Sequence, residues 1–302
     1  MILTVTLNAA LDVTYQVPGV DWDGVNRVST VHRRAGGKGV NVARVLAALG
    51  QEVLVTGMAG GPTGEAIEAD LRAAGLPSAL VGVAADSRTT LVVSETGASR
   101  TALFNEPGPE VTADELGNFL NAYTSLLATA RAVVISGSLP RGVPADTYAT
   151  LAAIAAEQGV PAIVDADGEP LRHAPSGRPS IVKPNAEELA RAVPGGGPEE
   201  GAQALRGRGA RSVVVSMGSD GLLAVTPEGT FRARMPYKVE GNPTGAGDSL
   251  VAGLALGLVE RAGWPETLSR AAALGAAAVA APVAGDFDRD VYADMHPQIV
   301  IT

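Results

Sequence analysis

"GNPTGAGDSLVAG", residues 241–253, sets four glycines around one acid, Asp248, where an apolar helix begins. Leu250, Leu254 and Leu258 recur at i, i+4 and i+8, so a helix runs on from this point. Its first amides, from Ala246 to Ser249, have no partner inside the helix, and the helix dipole adds partial positive charge there. Gly245 and Gly247 clear side chains away, so an oxyanion or phosphate can approach those amides. Asp248 then has two readings. A carboxylate at a helix N-terminus is an ordinary cap. Beside an anion cradle it is also placed to act as a general base that takes a proton from an attacking hydroxyl. The P-loop pattern GxxxxGK[ST] is absent, so a phosphate held here would be held in a different way.

Outward from this turn, short β-rich runs alternate with longer helical ones. "ILTVTL" (2–7), "VLVTGM" (53–58), "AVVISG" (132–137), "PAIVDA" (161–166), "SIVKPN" (180–185) and "SVVVSM" (212–217) read as strands. Several are apolar on both faces, as parallel strands covered by helices are. In "VNVARVLAALG" Val42, Val45, Leu46 and Leu49 share a face and Gly50 suits the position after the helix. "GEAIEADLRAAG", "ADTYATLAAIAAEQG" and "GDSLVAGLALGLVERAG" follow the same plan. The alternation predicts a doubly wound α/β fold with a mainly parallel sheet flanked by helices.

Two stretches break the pattern. "TYQVPGVDWDGVNRVSTVHRR" (14–34) and "RTTLVVSETGASRTALFNEPGP" (88–109) alternate polar and apolar residues, with a turn expected at Thr96-Gly97. They read as antiparallel strands of a small β lid, built from insertions at about 13–34 and 88–106, on a single domain spanning 1–302. The other reading is an edge extension of the main sheet. "VPGGGPEEG" (193–201) reads as a surface loop.

Composition narrows the function. The 302 residues are 46% apolar and 18% charged, which is globular, and the 4% aromatic content implies a core of Ala, Val and Leu. With no cysteine there is no disulfide, thiolate metal site or cysteine nucleophile. His32, His173 and His296 are far apart and lack metal-ligand spacing. A net charge of −9 argues against nucleic acid as a partner, though not against an anionic small molecule. The opening "MILTVTLNAALD" does not read as a signal peptide, and no run approaches the roughly 20 apolar residues of a membrane span. A cytoplasmic enzyme is expected.

"AGGKGVNVARVLAALG" (35–50) and "NPTGAGDSLVAGLALG" (242–257) resemble the two signatures of the ribokinase-like phosphofructokinase B family of carbohydrate kinases. "ILTVTLNAALDVTYQV", "SGSLPRGVP" (136–144) and "IVKPNAEEL" (181–189) resemble its phosphosugar branch, which holds 1-phosphofructokinase and tagatose-6-phosphate kinase. The resemblance runs from Ile2 to about Gly285. It implies a ribokinase-like α/β fold with a β lid, a sugar site between the two, and magnesium–ATP as phosphoryl donor.

Carried onto this chain, the resemblance makes Asp248 the base and Gly245, Ala246 and Gly247 the anion cradle. Asp12, Gly36, Gly37 and Asn41 would orient the sugar; without the family, Asp12 reads as a solvated turn acid and the glycines as a helix entry. Lys38, Arg88 and Arg141 would hold the sugar's own phosphate, and each alone reads as a surface charge. Together they point to a phosphorylated sugar. Lys183, Asn185, Ser216, Gly218, Gly221, Gly245, Gly247 and Gly275 would serve ATP, with the small side chains of "AALGAAAVAAP" (272–282) along the adenine and Asn185 and Glu188 organising Mg2+ through water. Against this stand an N-cap Asn with a first-turn Glu, a plain hairpin turn before "LLAVT", and a tightly packed Ala-rich helix.

The chain departs from the family pattern in three places. Asn242-Pro243 stands where Asp-Thr is frequent, "LNAALD" replaces "LNPALD" or "LNPSID", and "TTLVV" follows Arg88 where an Asn is frequent. The sugar phosphate is therefore open among fructose 1-phosphate, tagatose 6-phosphate and fructose 6-phosphate. Other hexose kinases of the family and a non-catalytic sugar sensor are the alternatives. A dinucleotide-dependent oxidoreductase fits poorly, because no glycine fingerprint follows the first strand. A homodimer joined through the lid is a further expectation.

Overall fold

A computed structural model describes residues 1–95 and 100–302; the expected turn at Thr96-Gly97 lies outside the described residues. In chain order the elements are β1 (Ile2–Thr6), β2 (Ala10–Val17), β3 (Thr30–Gly36), α1 (Lys38–Ala48), β4 (Val53–Ala59), α2 (Gly61–Ala73) and β5 (Ser78–Gly82). Then come β6 (Arg88–Glu95), β7 (Arg100–Asn105), α3 (Ala113–Leu127), β8 (Ala132–Ser136), α4 (Thr147–Glu157), β9 (Ala162–Asp165), α5 (Gly168–His173) and β10 (Ile181–Val182). The chain continues through α6 (Ala186–Ala192), α7 (Pro198–Gly207), β11 (Ser212–Ser216), β12 (Leu222–Thr226) and β13 (Gly229–Arg234). It closes with α8 (Ala246–Glu260), α9 (Trp264–Val279), α10 (Arg289–Met295) and β14 (Val300–Ile301).

Ten strands form one sheet in the order β14-β13-β12-β11-β10-β9-β8-β1-β4-β5. From β11 to β5 every pairing is parallel; β12, β13 and β14 close one edge antiparallel. Strand residues alternate between two cores. Leu3, Val5, Val133 and Ile135 pack under α3 and α4, against Phe119, Tyr123, Tyr148 and Leu151. Ile2, Val134 and Val55 pack under α1, α2 and α8, against Val45, Leu46, Ile67 and Leu254. Helices α8 and α9 touch almost backbone to backbone: a side chain at Gly253 would reach Ala271 Cα at 2.6 Å.

Four strands form a separate sheet in the order β3-β2-β6-β7. This favours the lid over an edge extension, with one correction. The pairs β2–β3 and β6–β7 are antiparallel, but the central pair β2–β6 is parallel. Both central strands leave the main body in the same direction, and each hairpin partner returns on the outside. The expected strand at 180–185 shrinks to Ile181–Val182, because Pro184 has no amide to donate to the ladder.

Candidate active site

Sheet order reverses about β1 and β8, and loops from the carboxyl ends of neighbouring strands open a crevice there. Asn8 follows β1, Ser138 and Arg141 follow β8, Asp165 ends β9, and Lys183 and Asn185 follow β10. The N-termini of α1 and α8 meet across the crevice: Asn41 Nδ2 donates to Asp248 Oδ2 at 2.8 Å, both side chains buried.

Asp248 makes no ion pair among the described residues. Burial, followed by the nearby Asp165 carboxylate, pushes its pKa up to about 6, against the pull of Lys38, Asn41 and Lys183. Asp165 is the member of this cluster that the sequence reading missed. It is fully buried, and its Oδ1 accepts from both Lys38 Nζ and Lys183 Nζ at 3.2 Å. Burial alone would raise its pKa, but the two ammonium groups outweigh burial and hold it low. Burial would likewise lower that of Lys38, yet Asp165, Asp248 and Glu188 raise it. The acidic pair thus divides its roles by environment: Asp165 keeps its charge and Asp248 titrates near neutrality.

Lys38 and Lys183 depart from their expected places. Lys38 turns toward Asp165 and not toward Arg88 and Arg141. Lys183 is 3% exposed and turns toward Asp165, and a side chain on Gly247 would come within 3.5 Å of its Nζ. Both follow from the buried carboxylate of Asp165, which needs compensating charge. Among the described residues, neither the buried hydroxyl of Ser136, opposite Asp165 in the β8–β9 register, nor Asp165 Oδ2 has a hydrogen-bond partner.

A cavity of about 670 Å³ opens beside the start of α8. Asn185, Ser216, Gly218, Gly221, Ala246, Gly247 and Gly275 line it. So do Ala272 and Val279, from the Ala-rich stretch expected beside the nucleotide, and Leu222, Met235, Lys238, Val239 and Glu240, which the sequence reading left out. The only signal for Met235 to Glu240 was position, since this segment leads into the glycine turn. Gly245 is not on the cavity wall. Its φ of 85° is left-handed, and a side chain there would strike Ala284 at 2.9 Å, so its glycine serves the turn itself. Asn185 and Glu188 form a capping box at α6: Glu188 N donates to Asn185 Oδ1 and Asn185 N to Glu188 Oε2, both at 2.8 Å. Ser216, Gly218 and Gly221 line the cavity and also make the β11–β12 hairpin connection.

At the other end, Asp12 lies inside β2 and not in a turn, paired with Thr90 and Arg34 on either side. Burial pushes its pKa up to about 6, against a hydrogen bond from Thr90 and the charges of Arg88, Arg34 and Arg44. Its carboxylate covers Gly36, where any side chain would collide with it. Arg88 Nε donates to Asn8 O at 3.1 Å, Asn8 Nδ2 to Ser138 Oγ at 3.0 Å, and Arg141 Nε to Gly108 O at 3.3 Å. A side chain on Gly108 would in turn strike Asn8 Oδ1. Asn8 therefore ties the Arg88 and Arg141 segments together, a role no motif announced.

Residues 5–288 match the model of the pfkB family of carbohydrate kinases, and the chain belongs to that family. The fold agrees. Phosphofructokinase-2 from Escherichia coli, in its tetrameric inhibited form, superposes with a TM-score of 0.89 at 33% identity over 97% of this chain and 98% of that one. A possible 1-phosphofructokinase from Thermotoga maritima superposes with a TM-score of 0.87 at 26% identity over 100% and 98%. Ribokinase from Arabidopsis thaliana, complexed with ribose and ATP, shares the fold at 19% identity and a TM-score of 0.76, over 97% of each chain. The chain is a carbohydrate kinase of this family, with a ribokinase-like fold. No helix among the described residues is long and apolar enough to cross a membrane.

Proposed function

We propose that this enzyme transfers the γ-phosphoryl group of ATP to a ketohexose monophosphate, fructose 1-phosphate or tagatose 6-phosphate, and releases the bisphosphate. The observation that carries the reading is Asp248: a buried carboxylate with a pKa of about 6, held by Asn41 at the mouth of a bare-amide helix end. Deprotonated, it accepts the proton of the attacking sugar hydroxyl. The amides of Ala246 and Gly247 stabilise charge on the moving phosphoryl group. Asp12, Gly36, Gly37 and Asn41 orient the sugar, and Arg88 and Arg141 hold its phosphate. Lys38, fixed by Asp165, supplies positive charge beside the base.

The residues also suit magnesium. Among those described, no three His, Asp or Glu side chains cluster as a metal cage, but Asp165 Oδ2 is buried without a partner. Mg2+ keeps several waters and takes phosphate ligands, so one or two carboxylates suffice. Asp165, and Asn185 with Glu188 through water, would hold it; bound with the nucleotide, it would neutralise phosphate charge.

A second reading, 6-phosphofructokinase, has support in the 32% identity to Escherichia coli phosphofructokinase-2 solved with fructose 6-phosphate. A panel of the three ketohexose phosphates with magnesium–ATP, ranked by kcat/KM, separates the readings. ADP release without phosphorylation of any of them would sink both. A second copy docks on the small sheet in this reading, where Leu103 and Phe104 are 48% and 51% exposed and Trp22 is 78% exposed. Sedimentation as a monomer at micromolar concentration would remove that pairing.

A further inference from the structure

Arg34 lies on β3, directly opposite Asp12 in the small sheet. Its guanidinium meets Asp286 through two nitrogens, Nη2 to Oδ1 at 2.6 Å and Nη1 to Oδ2 at 3.2 Å. Both side chains are partly exposed, at 27% and 45%. A pair so placed contributes little to folding stability, but its forked geometry fixes position well.

What Asp286 belongs to gives the pair its meaning. Asp286 N donates to Val283 O at 3.3 Å and Asp288 N to Ala277 O at 3.0 Å, so 283–288 is a short shim anchored on α9. Gly285, with φ of 83°, lies so close to α1 that a side chain would come within 3.1 Å of Asn41 Oδ1 and 3.2 Å of Arg44 Cδ. Ala284 closes on Gly245 at the entrance of α8. Arg44 Nη2 donates to Asp70 Oδ2 at 2.6 Å and to Ala35 O at 3.3 Å, and Ala35 N donates to the same Asp70 oxygen at 2.8 Å. The peptide after Arg34 is thereby held to the body while its side chain grips the shim.

We infer that Arg34 and Asp286 form a latch that transmits the position of the small sheet to the amides at the start of α8. A contiguous route runs from Asp12 through Arg34, Asp286 and the 284–285 backbone to Gly245 on one side and Asn41 with Asp248 on the other. This rests on the reading of Asp12 as a sugar ligand and of α8 as the phosphoryl cradle. Both are positioning residues: neither touches the reacting atoms in it.

The first test needs no substrate. Amide hydrogen exchange across 245–250 is compared in wild type, Arg34→Met, Asp286→Ala and the double variant, with the thermal midpoint recorded as a control. The latch requires at least about threefold faster exchange in each single variant, no further gain in the double, and partial recovery in Arg34→Lys. Unchanged exchange, or additive effects in the double variant, overturns it. The second test measures AMP-PNP affinity with magnesium, alone and with saturating fructose 1-phosphate, fructose 6-phosphate or tagatose 6-phosphate. Wild type should bind the nucleotide at least about fivefold tighter with the accepted sugar phosphate, and the variants should bring that ratio toward one. Retained coupling overturns the latch. If none of the three sugars binds wild type, the sugar reading fails, and the exchange result still decides the latch.

Discussion

The two ends of the crevice are built by opposite means. At the end proposed for the nucleotide the surface is backbone: successive amides at the start of α8, reached over Gly247, with Asp248 one residue further along the chain. At the end proposed for the sugar it is side chains drawn from distant segments, namely Asp12 on β2, Arg88 on β6, and Asn8 and Arg141 on loops, with Asn8 bonded to Arg88 and, 130 positions away, to Ser138. A backbone site is encoded in adjacent residues and tolerates little local change. A side-chain site is encoded across the chain, and its specificity drifts one residue at a time. The carboxylates at the two ends share a pKa of about 6, both through burial. Yet Asp12 is countered by three arginines, whereas Asp248 has two lysines and Asn41 pulling against both burial and the neighbouring Asp165 carboxylate.

The comparison breaks first at Asp248. Asp248→Asn should lower kcat by roughly 10³-fold or more, as expected for loss of a general base, while ATP still binds by calorimetry. The sign of its stability effect is also set. A folded-state pKa above the ordinary carboxylate value means that, near pH 7, the charged form costs stability. The Asn variant, which keeps an acceptor for Asn41, should therefore unfold at higher temperature, with a ceiling of about 3 kcal/mol. Near-normal turnover, or a lower midpoint, contradicts this account.

Next comes Arg88→Ala, which should raise KM for the sugar phosphate by about 30-fold, the loss of a charge-assisted phosphate contact, and KM for ATP by less than about twofold. Equal rises would erase the distinction between the two ends.

A pair of glycines sharpens it further. The space at Gly247 is open, its nearest neighbour being Lys183 Nζ at 3.5 Å, so Gly247→Ala should leave the melting temperature alone and raise KM for ATP by about tenfold through blocked approach to the amides. Gly245→Ala meets both a left-handed φ and Ala284, and should cost about 1–3 kcal/mol of stability. If the two variants behave alike, the cradle reading of Gly247 is wrong.

The smallest effect is in pH. The log of kcat/KM should climb below a bend near pH 6 and flatten above it, as Asp248 and Asp12 lose their protons. With Arg88 removed, the Asp12 contribution should move to higher pH by a few tenths, because a cation favouring its charged form is gone. A flat profile from pH 5 to 8 would contradict both titrations.

Much of the fold and part of the site could be read from the residues alone. Apolar strands alternating with amphipathic helices define the layered sheet, because periodicity reports which faces are buried. The glycines before Asp248 mark the start of α8, because the required geometry lies within a few consecutive residues. The family signatures mark Asn41, Lys38 and Asn185. What only the tertiary structure decided is how charges pair across distance. Lys38 and Lys183 both turn to Asp165, a residue that appears in the sequence as the end of an unremarkable strand. Asn8 knits together segments about 100 and 130 positions away, and Arg34 reaches Asp286 across 252. The parallel pairing of β2 with β6 was likewise invisible, since alternation fixes which face is buried but not which way a neighbour runs. The physical reason is common to all of these. Local propensity acts between residues close in the chain, whereas compensation of a buried charge acts through space, between groups that only the folded chain makes neighbours.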